Sequence, residues 1–408
     1  MSHQAHWLYL DLNSFFSSCE QQENPELRHS PLAIVPMLAD STFCIAASYS
    51  AKAFGVKTGV RVGDAKKMCP GIKFMVARHD VYVRYHHRVI EAVESCVPVH
   101  SVCSIDEVAC ELTGSQKDLT KARALALKIK LALREQVGAY MTASIGIGPN
   151  ALLAKMASDM QKPDGLTVIT ASELPQRLHE LKLQDIPGVG RKMEVRIQAQ
   201  GVHSVEALLK LNESQMRGLW GGILGARMYR LLRGEDLSTP AYFHGSNTPQ
   251  SIGHEHVLPP VQRNLNDSLG VAQRLLVKVA VRLRQARMMA RSMKLLIKTL
   301  DGLNHERRIS FDETQDTSFL MRELKKIHSE LAIKKPLKIG VTLGNFIPEN
   351  EHQLSLFNDE KKNKIFQVVD SLNSKYGRDT VYLGAQHDFR TSAPTRIAFS
   401  RIPGLDEV

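Results

Sequence analysis

Several signals that would place this chain of 408 residues in a familiar class are missing from it. No uninterrupted apolar run approaches the roughly 20 residues that a membrane-spanning helix needs. The opening residues, Met1-Ser2-His3-Gln4, lack the basic stretch and following apolar stretch of a secretion signal. No repeat or low-complexity tract occurs either. These absences argue against a membrane protein, a secreted protein and a repeat protein.

Cysteine is scarce, and no two cysteines form a Cys-x-x-Cys pair. The six cysteines stand at positions 19, 44, 69, 96, 103 and 110, all in the first third of the chain. A disulfide scaffold would be smaller and richer in cysteine, and a structural zinc site would use paired ligands. We therefore expect reduced, buried thiols in a cytoplasmic protein.

Acidic residues are outnumbered, with 42 Asp and Glu against 53 Lys and Arg, a formal net charge of +11. This balance favours a polyanionic partner, and nucleic acid fits it better than an anionic membrane surface. An apolar content of 43% with 23% charged residues is typical of globular proteins and excludes a wholly disordered chain. The length predicts about three domains.

Hydrophobic periodicity divides the chain into segments. Alternating strands and helices predict an α/β or α+β domain of residues 1–35 and 71–170, interrupted by an insertion at 36–70 that glycine and proline mark. Its first strand, His6–Leu10, runs into Asp11, and Asn13-Ser14 offers an N-cap for the next helix.

The remaining segments differ in character from the first. Residues 171–235 read as short helices, and 236–249 read as a linker. Residues 250–347 follow the order strand, helix, strand, strand, helix, strand of a ferredoxin-like sandwich. A tail covers 348–408. The sequence thus predicts a multidomain protein of α/β and α+β character.

Most of the excess positive charge falls in residues 250–347, which hold 17 Lys and Arg against 9 Asp and Glu. Arg274, Lys278 and Arg282 share one face of the predicted long helix. Lys294 and Lys298 share one face of the strand that follows. A solvated surface is the plain interpretation of either group alone. Two adjacent elements with the same bias favour one surface that tracks DNA phosphates.

Three carboxylates stand at predicted strand ends, namely Asp11, Asp106 and Glu107. Because adjacent strand residues point to opposite faces, Asp106 and Glu107 need a turn or bulge to face one centre. Carboxylates that converge repel one another unless divalent cations lie among them, and hard oxygen ligands suit Mg²⁺. Taken singly, each of these residues is more commonly a helix cap or a turn residue.

Four ordered motifs resemble those of the Y-family translesion DNA polymerases. They are Leu10-Asp11-Leu12-Asn13-Ser14-Phe15-Phe16 with Glu20, Tyr49-Ser50-Ala51-Lys52-Ala53-Phe54-Gly55-Val56, Ser104-Ile105-Asp106-Glu107, and Ala154-Lys155-Met156-Ala157-Ser158-Asp159-Met160 with Lys162-Pro163-Asp164-Gly165. The resemblance covers residues 7 to about 345. Within that family, the chain resembles the bacterial polymerase IV type and the catalytic subunit of mutagenic polymerase V.

The resemblance implies a right-hand fold. The palm would comprise 1–35 and 71–170, the fingers 36–70, the helical thumb 171–235 and the ferredoxin-like little finger 250–347. It also implies template-directed addition of deoxynucleotides to a primer 3′ end, with low fidelity and bypass of damaged bases.

The resemblance further implies roles for individual residues. Asp11, Asp106, Glu107 and the Leu12 carbonyl would hold two Mg²⁺ ions. Phe16 would be a steric gate against the ribose 2′-hydroxyl, and Phe15 would line the same pocket. The residues implied to contact the nucleotide triphosphate are Tyr49, Lys52 and Lys155.

The chain departs from the family pattern at four places near these residues. Asn13 stands where many members have Asp, and Lys52 replaces an arginine, which exchanges a bidentate fork for a point charge. Ala46 stands where a hydroxyl is common. Val108-Ala109 replaces Ala-Tyr after the second motif. The metal ligands are retained, whereas contacts with the nucleotide are altered.

Two further segments indicate macromolecular partners. Ile186-Pro187-Gly188-Val189-Gly190 resembles a helix-hairpin-helix, in which Gly188 and Gly190 let backbone N–H groups approach phosphates and Lys192 adds charge. A tight turn between helices is the plain alternative. Gln353, Leu354, Leu356 and Phe357 resemble a bacterial sliding-clamp peptide. Other mutagenesis or SOS proteins are further candidate partners.

Two other functions stay open at this stage. The first is a non-catalytic, polymerase-like protein that binds DNA and clamp within a mutagenesis complex; the retained carboxylates argue against it. The second is a helix-hairpin-helix nuclease or glycosylase, which would need its own catalytic lysine or carboxylates near the hairpin, where Asp185 alone gives thin support.

Overall fold

The computed structural model describes residues 4–237, 249–331, 333–351, 360–394, 396–397 and 402–404. Contacts divide the chain into two compact units, Met1–His244 with Ile397–Leu405 and Gly245–Arg396 with Asp406–Val408. A search of the described helices finds none with the length and apolar character to span a bilayer.

The first unit contains eight strands and ten α-helices among its described residues. The strands are β1 (Trp7–Leu12), β2 (Leu32–Val35), β3 (Ala46–Ala47), β4 (Lys73–Val76), β5 (Ser101–Val102), β6 (Glu107–Glu111), β7 (Ala143–Gly148) and β8 (Leu166–Val168). The helices are α1 (Phe15–Glu23), α2 (Tyr49–Lys52), α3 (Val62–Met68), α4 (His79–Glu94), α5 (Leu119–Ala132), α6 (Ala151–Met160), α7 (Arg191–Gln198), α8 (Val205–Leu209), α9 (Glu213–Trp220) and α10 (Gly222–Leu231).

The larger sheet of this unit has the order β5-β6-β1-β7-β8. Its central strand β1 is buried over its whole length, as expected for an apolar strand between two neighbours. Helix α6 packs on β7 and β1, and a Cβ atom at Gly146 would come 1.9 Å from the Ala154 carbonyl oxygen. Glycine is therefore required there, and α6 lies directly against the strand that carries Asp11.

A smaller sheet has the order β3-β2-β4 and packs with α2 and α3 around its own apolar cluster. Strand β2 precedes the predicted insertion at residues 36–70, and β4 follows it. The only strand of the insertion among the described residues, two-residue β3, thus pairs with β2, and β2 and β4 flank the insertion in the chain. The insertion therefore completes its sheet with strands that lie outside the predicted bounds 36–70.

Helices α7 to α10 share an apolar core with α6. Asn150 caps α6, and its side-chain amide also donates to the carbonyls of Leu231 and Glu235 at 2.8 and 2.9 Å. His6 and Trp7 contact the Asp236 carboxylate, each at 3.3 Å. Within this unit the helical segment is therefore attached to the larger sheet by both apolar and polar contacts.

The cysteines agree with the expectation of reduced thiols. All six are free, and four of them, Cys19, Cys44, Cys69 and Cys110, are buried. Burial raises the pKa of Cys110 to about 12, which keeps this thiol protonated and unreactive at neutral pH.

The second unit follows the predicted order of elements. They are β9 (Ser251–Val257), α11 (Leu265–Gln285), β10 (Met288–Thr299), β11 (Asn304–Thr314), α12 (Thr317–Ser329), β12 (Pro336–Gly344), β13 (Ile347–Pro348) and α13 (Glu360–Tyr376). The sheet order, which sequence did not specify, is β11-β10-β12-β9. Helices α11 and α12 cover the face that carries Met293, Leu295 and Ile297.

The C-terminal tail, here residues 360–394, packs against α11. The Arg274 guanidinium forms a bidentate ion pair with Asp379, with both hydrogen bonds at 2.6 Å. The Arg284 guanidinium forms a bidentate ion pair with Asp370 at 2.6 and 3.0 Å. The Phe389 ring lies over Gly270, where a Cβ atom would come within 2.1 Å of it. The tail is therefore a packed part of the second unit, to which the sequence assigned no role.

Candidate active site

The strand register brings Asp11 and Glu107 together. They are directly opposed on antiparallel β1 and β6, so their side chains emerge on one face with Cβ atoms about 5 Å apart. The Leu12 N–H donates to the Asp106 carbonyl at 2.9 Å, which brings Asp106 next to the same strand end. The predicted turn is present, because the N–H groups of Cys103 and Ser104 both donate to the Glu107 carbonyl.

Each carboxylate has its own polar partner. Lys162 Nζ lies 2.7 Å from Asp11 Oδ2 and 2.8 Å from Asp159 Oδ1. Lys155 forms an ion pair with Glu107, which also accepts a hydrogen bond from the Tyr9 hydroxyl at 3.0 Å. The Ser104 hydroxyl donates to Asp106 Oδ1 at 2.6 Å.

Burial makes this cluster difficult to charge. It raises the pKa of Asp11 to about 7, which the positive charge of Lys162 opposes and the negative charges of Glu107 and Asp159 reinforce. Burial also raises the pKa of Asp106. For Lys162, burial lowers the pKa, but Asp11 and Asp159 more than offset it, and the net shift is upward. The cluster thus favours a bound positive charge.

In their present arrangement the carboxylates do not form a closed metal site. Across the described residues, no three His, Cys, Asp or Glu side chains converge to hold a metal ion. Lysine and serine engage the carboxylate oxygens instead, so the convergence of all three acids on bound cations stays a prediction. The donor set still fits a hard divalent cation, since it consists of carboxylate oxygens on neighbouring strand ends.

The two phenylalanines lie side by side at the start of α1. Phe15 is buried, Phe16 is partly buried, and their ring centroids are 5.7 Å apart. The ring of Phe16 stacks on that of Tyr82 from α4 at 4.4 Å with an interplanar angle of 16°.

Tyr49 and Lys52 stand on α2 beside the start of α1. Lys52 Nζ donates to the Ser14 hydroxyl at 2.7 Å and lies 4.4 Å from the centre of the Tyr49 ring. Burial and the nearby charge of Lys162 lower the pKa of Lys52. These groups therefore border the Asp11 side of the cluster, whereas Lys155 borders the Glu107 side.

Asn13 has a structural position that explains its departure from the family pattern. Its side chain donates to the Ser144 hydroxyl at 3.0 Å and accepts from the Asp164 N–H at 2.8 Å. The N-cap residue is Ser14, in a left-handed conformation with φ of 50° and no capping side-chain hydrogen bond. The predicted N-cap position is confirmed at Ser14, whose hydroxyl accepts from Lys52 and makes no capping hydrogen bond.

Three polar residues of this cluster had no role assigned from the sequence, namely Tyr9, Ser104 and Lys162. Each lies within two residues of a motif carboxylate or three residues after Asp159. Alternation along β1 places Tyr9 on the same face as Asp11. That signal was available, whereas the approach of Lys162 to Asp11 depends on a turn that no periodicity specifies.

The hairpin in the helical segment leaves its glycines accessible. Gly188 has a φ of 88°, a conformation that favours glycine, and Gly190 precedes α7 as its N-cap residue. A Cβ atom at Gly190 would meet nothing within 4 Å, and Lys192 is exposed. The backbone at Gly188 and Gly190 is therefore exposed to a ligand, whereas Val189 between them is buried and donates its N–H to the Ile186 carbonyl.

The five basic residues of the second unit do not share one surface. Arg274 is engaged by Asp379, Lys278 donates to the Ala393 carbonyl at 2.5 Å, and Arg282 donates to the Gly253 carbonyl at 3.1 Å. Lys294 and Lys298 lie on the sheet face that α11 does not cover. The predicted single surface is wrong, since alternation along β10 sends the lysines away from the helices.

The open sheet face carries additional basic residues that sequence analysis missed. Lys294 is paired in register with Arg308 of β11, and Lys298 with Lys338 of β12. A groove of about 640 Å³ runs along Lys294 and Arg308, with Glu306 on its wall. The predicted clamp peptide, Gln353 to Phe357, falls outside the described residues.

Family models match most of the chain. Residues 10–159 match the impB/mucB/samB family, and residues 249–356 match its C-terminal domain. Residues 184–236 match a thumb domain described from DNA polymerase-iota.

Whole-chain relatives agree with these models. DNA polymerase IV of Moorella thermoacetica is 30% identical over 92% of this chain and 94% of its own length. DNA polymerase IV 1 of Bacillus subtilis is 28% identical over 92% of both chains.

Solved structures share the fold at low identity. A Y-family DNA polymerase chimera, Dbh-Dpo4(243-245)-Dbh, is similar with a TM-score of 0.69 at 22% identity, over 84% of this chain and 99% of that one. An insertion ternary complex of Dbh DNA polymerase gives a TM-score of 0.56 at 21% identity over the same shares. With the family models and curated relatives, these findings place the chain in the Y family of DNA polymerases, DNA-directed enzymes whose family function is translesion synthesis.

Proposed function

We propose that this Y-family polymerase transfers nucleotides at the adjoining ends of β1 and β6, where Asp11, Asp106 and Glu107, with the Leu12 carbonyl, hold two Mg²⁺ ions. The observation that carries the proposal is that Asp11 and Glu107 lie opposite each other on paired strands. Asp106 lies next to them, because its carbonyl accepts a hydrogen bond from the Leu12 N–H. Bound there, the ions would activate a primer hydroxyl and stabilise the leaving pyrophosphate.

The lysines have a second use in this proposal. Lys162 and Lys155 neutralise Asp11 and Glu107 when no substrate is present. Once cations take over that role, their ammonium groups are free to bind the triphosphate, together with Tyr49 and Lys52. Phe16 would lie beneath the sugar and exclude a 2′-hydroxyl, with Phe15 behind it.

Each unit would supply its own contacts to primer-template DNA. The hairpin at Gly188, Gly190 and Lys192 offers backbone N–H groups to phosphates, a contact that does not depend on sequence. The open sheet face with Lys294 and Lys298 offers ammonium groups to the backbone. The corresponding domains would be the palm (1–35 and 71–170), fingers (36–70), thumb (171–235) and little finger (250–347).

Further partners would join through the segment between the little finger and the C-terminal tail. The bacterial sliding clamp would bind the peptide that contains Gln353, Leu354, Leu356 and Phe357. This partner implies that the protein acts in the cytoplasm. Other mutagenesis or SOS proteins are candidate partners in the same complex.

Primer extension across a metal titration tests the proposal. Pure protein with primer-template and all four deoxynucleotides should extend the primer in Mg²⁺ and stop in excess chelator, with a sigmoidal dependence that reports more than one ion. A protein that binds primer-template yet extends nothing at any Mg²⁺ concentration would support the non-catalytic alternative. Cleavage of labelled DNA without nucleotides would support the nuclease alternative instead.

A further inference from the structure

A buried polar network lies directly behind Phe16. Glu20 on α1 is fully buried, and its carboxylate accepts hydrogen bonds from Arg78 Nε at 3.1 and 3.2 Å. The Tyr82 hydroxyl donates to Glu20 Oε1 at 2.9 Å. The ring of Tyr82 is also fully buried, and Phe16 stacks on it at 4.4 Å.

This network holds the Tyr82 side chain by its hydroxyl, and the face of its ring stacks on Phe16. A buried carboxylate is costly unless it is paired and hydrogen-bonded, so Glu20 holds Arg78, the N-cap residue of α4, and Tyr82 within α4 against α1. The phenol is therefore anchored at its hydroxyl, while its face supports Phe16. Burial, reinforced by the charge of Glu20, raises the pKa of Tyr82, which keeps its hydroxyl a donor at neutral pH.

We propose that Glu20, Arg78 and Tyr82 are positioning residues that hold the Phe16 ring in place and so set the discrimination between deoxyribose and ribose. The proposal rests on the gate function proposed above for Phe16. A partly buried ring in contact with a fixed, nearly parallel ring loses the freedom to turn aside. With that support removed, Phe16 can rotate and leave room for a 2′-hydroxyl.

The chain provides a matched control one helical turn away. The Tyr85 hydroxyl donates to Glu23 Oε1 at 2.9 Å. This is the same type of hydrogen bond as that between Tyr82 and Glu20, and each partner lies three residues further along its helix. The Tyr85 ring is instead covered by the Arg88 guanidinium, 5.2 Å from its centre. Loss of the Tyr85 hydroxyl thus removes an equivalent hydrogen bond without touching the stack on Phe16.

The test is the ratio of kcat/KM for a deoxynucleotide to that for the matching ribonucleotide. Tyr82→Phe should lower this ratio about 5-fold, the factor for one hydrogen bond, and Tyr82→Leu about 10-fold or more, because it also removes the aromatic pair. Tyr85→Phe should leave the ratio at the wild-type value. In a Phe16→Ala background, Tyr82→Phe should cause no further loss.

The outcomes separate the two proposals. An unchanged ratio in Phe16→Ala would remove the gate function itself. If Phe16→Ala admits ribonucleotides while both Tyr82 variants keep the wild-type ratio, the positioning function is wrong even though the gate stands. Equal losses with both sugars, or an independent effect of Tyr82→Phe in the Phe16→Ala background, would also overturn it. Should Tyr82→Leu fail to fold, Tyr82→Phe and Arg78→Lys decide the question.

Discussion

At the residue scale, the candidate active site is a set of buried and half-buried carboxylates, two of which are paired with lysine. Asp11 has a pKa near 7 even with Lys162 at 2.7 Å, because burial and the neighbouring acids oppose ionisation. The same environment that makes Asp11 hard to ionise makes an added cation favourable. In the proposed reaction, cations would take over the charge balance that Lys162 provides to Asp11.

Replacement of Lys162 with alanine should shift the pH dependence of kcat/KM for primer extension. Loss of the ammonium group raises the pKa of Asp11 further, so the ionised carboxylate becomes available only at higher pH, and the acid limb of the profile moves upward. Lys130→Ala is the control, since Lys130 pairs with exposed Asp164 at 2.9 Å. Coincident acid limbs for Lys162→Ala and wild type would contradict this account of Asp11.

At the scale of elements, the C-terminal tail is the main addition to what the sequence indicated. It packs on α11 through two buried arginine–aspartate pairs and the Phe389 ring. Truncation at residue 350 would therefore expose the α11 surface as well as remove the proposed clamp peptide. Substitution of Leu356 and Phe357 is the cleaner way to separate clamp-stimulated from basal synthesis.

Gly270→Ala should release the tail from α11. A Cβ atom at this position would meet the Phe389 ring at 2.1 Å, so the ring must move, at a cost of about 1–3 kcal/mol. We expect faster limited proteolysis between residues 376 and 394 and a lower thermal midpoint. Gly384→Ala is the control, because nothing lies within 4 Å of its added Cβ. Equal protease resistance in both variants would argue that Phe389 does not anchor the tail.

Sequence predicted the elements better than their arrangement. Periodicity located β1 and the element order of the second unit, because those signals are local. It failed for the basic residues of α11 and β10, since their sharing of a surface depends on which sheet face the helix covers. It likewise missed the pairing of Arg274 with Asp379, two residues separated by more than a hundred positions in the chain.

At the scale of the whole molecule, the positive charge is divided between functions. Arg274 and Arg284 form internal ion pairs with aspartates of the tail. Lys294 and Lys298 remain on the open sheet face, alongside Arg308 and Lys338. The count of 53 Lys and Arg therefore overstates the number of basic side chains available to DNA.

Salt dependence of primer-template binding should distinguish these two groups. Lys294→Gln and Lys298→Gln should each reduce the slope of log K against log salt by about 1, because each removes one phosphate contact. Arg274→Gln should leave that slope unchanged, since its guanidinium is engaged by Asp379. Fluorescence anisotropy at several salt concentrations measures all three. A smaller slope for Arg274→Gln alone would place DNA on the helical side of the sheet.

The single-turnover rate of one-nucleotide addition by Asp106→Asn tests the assignment of the chemistry most directly. The substitution keeps the volume and the hydrogen bond from Ser104 while it removes one charged oxygen donor. We expect a loss of about 100- to 1,000-fold or more, with primer-template affinity preserved. Asp185→Asn, beside the hairpin, should react at the wild-type rate. Near wild-type addition by Asp106→Asn would mean that the chemistry takes place elsewhere.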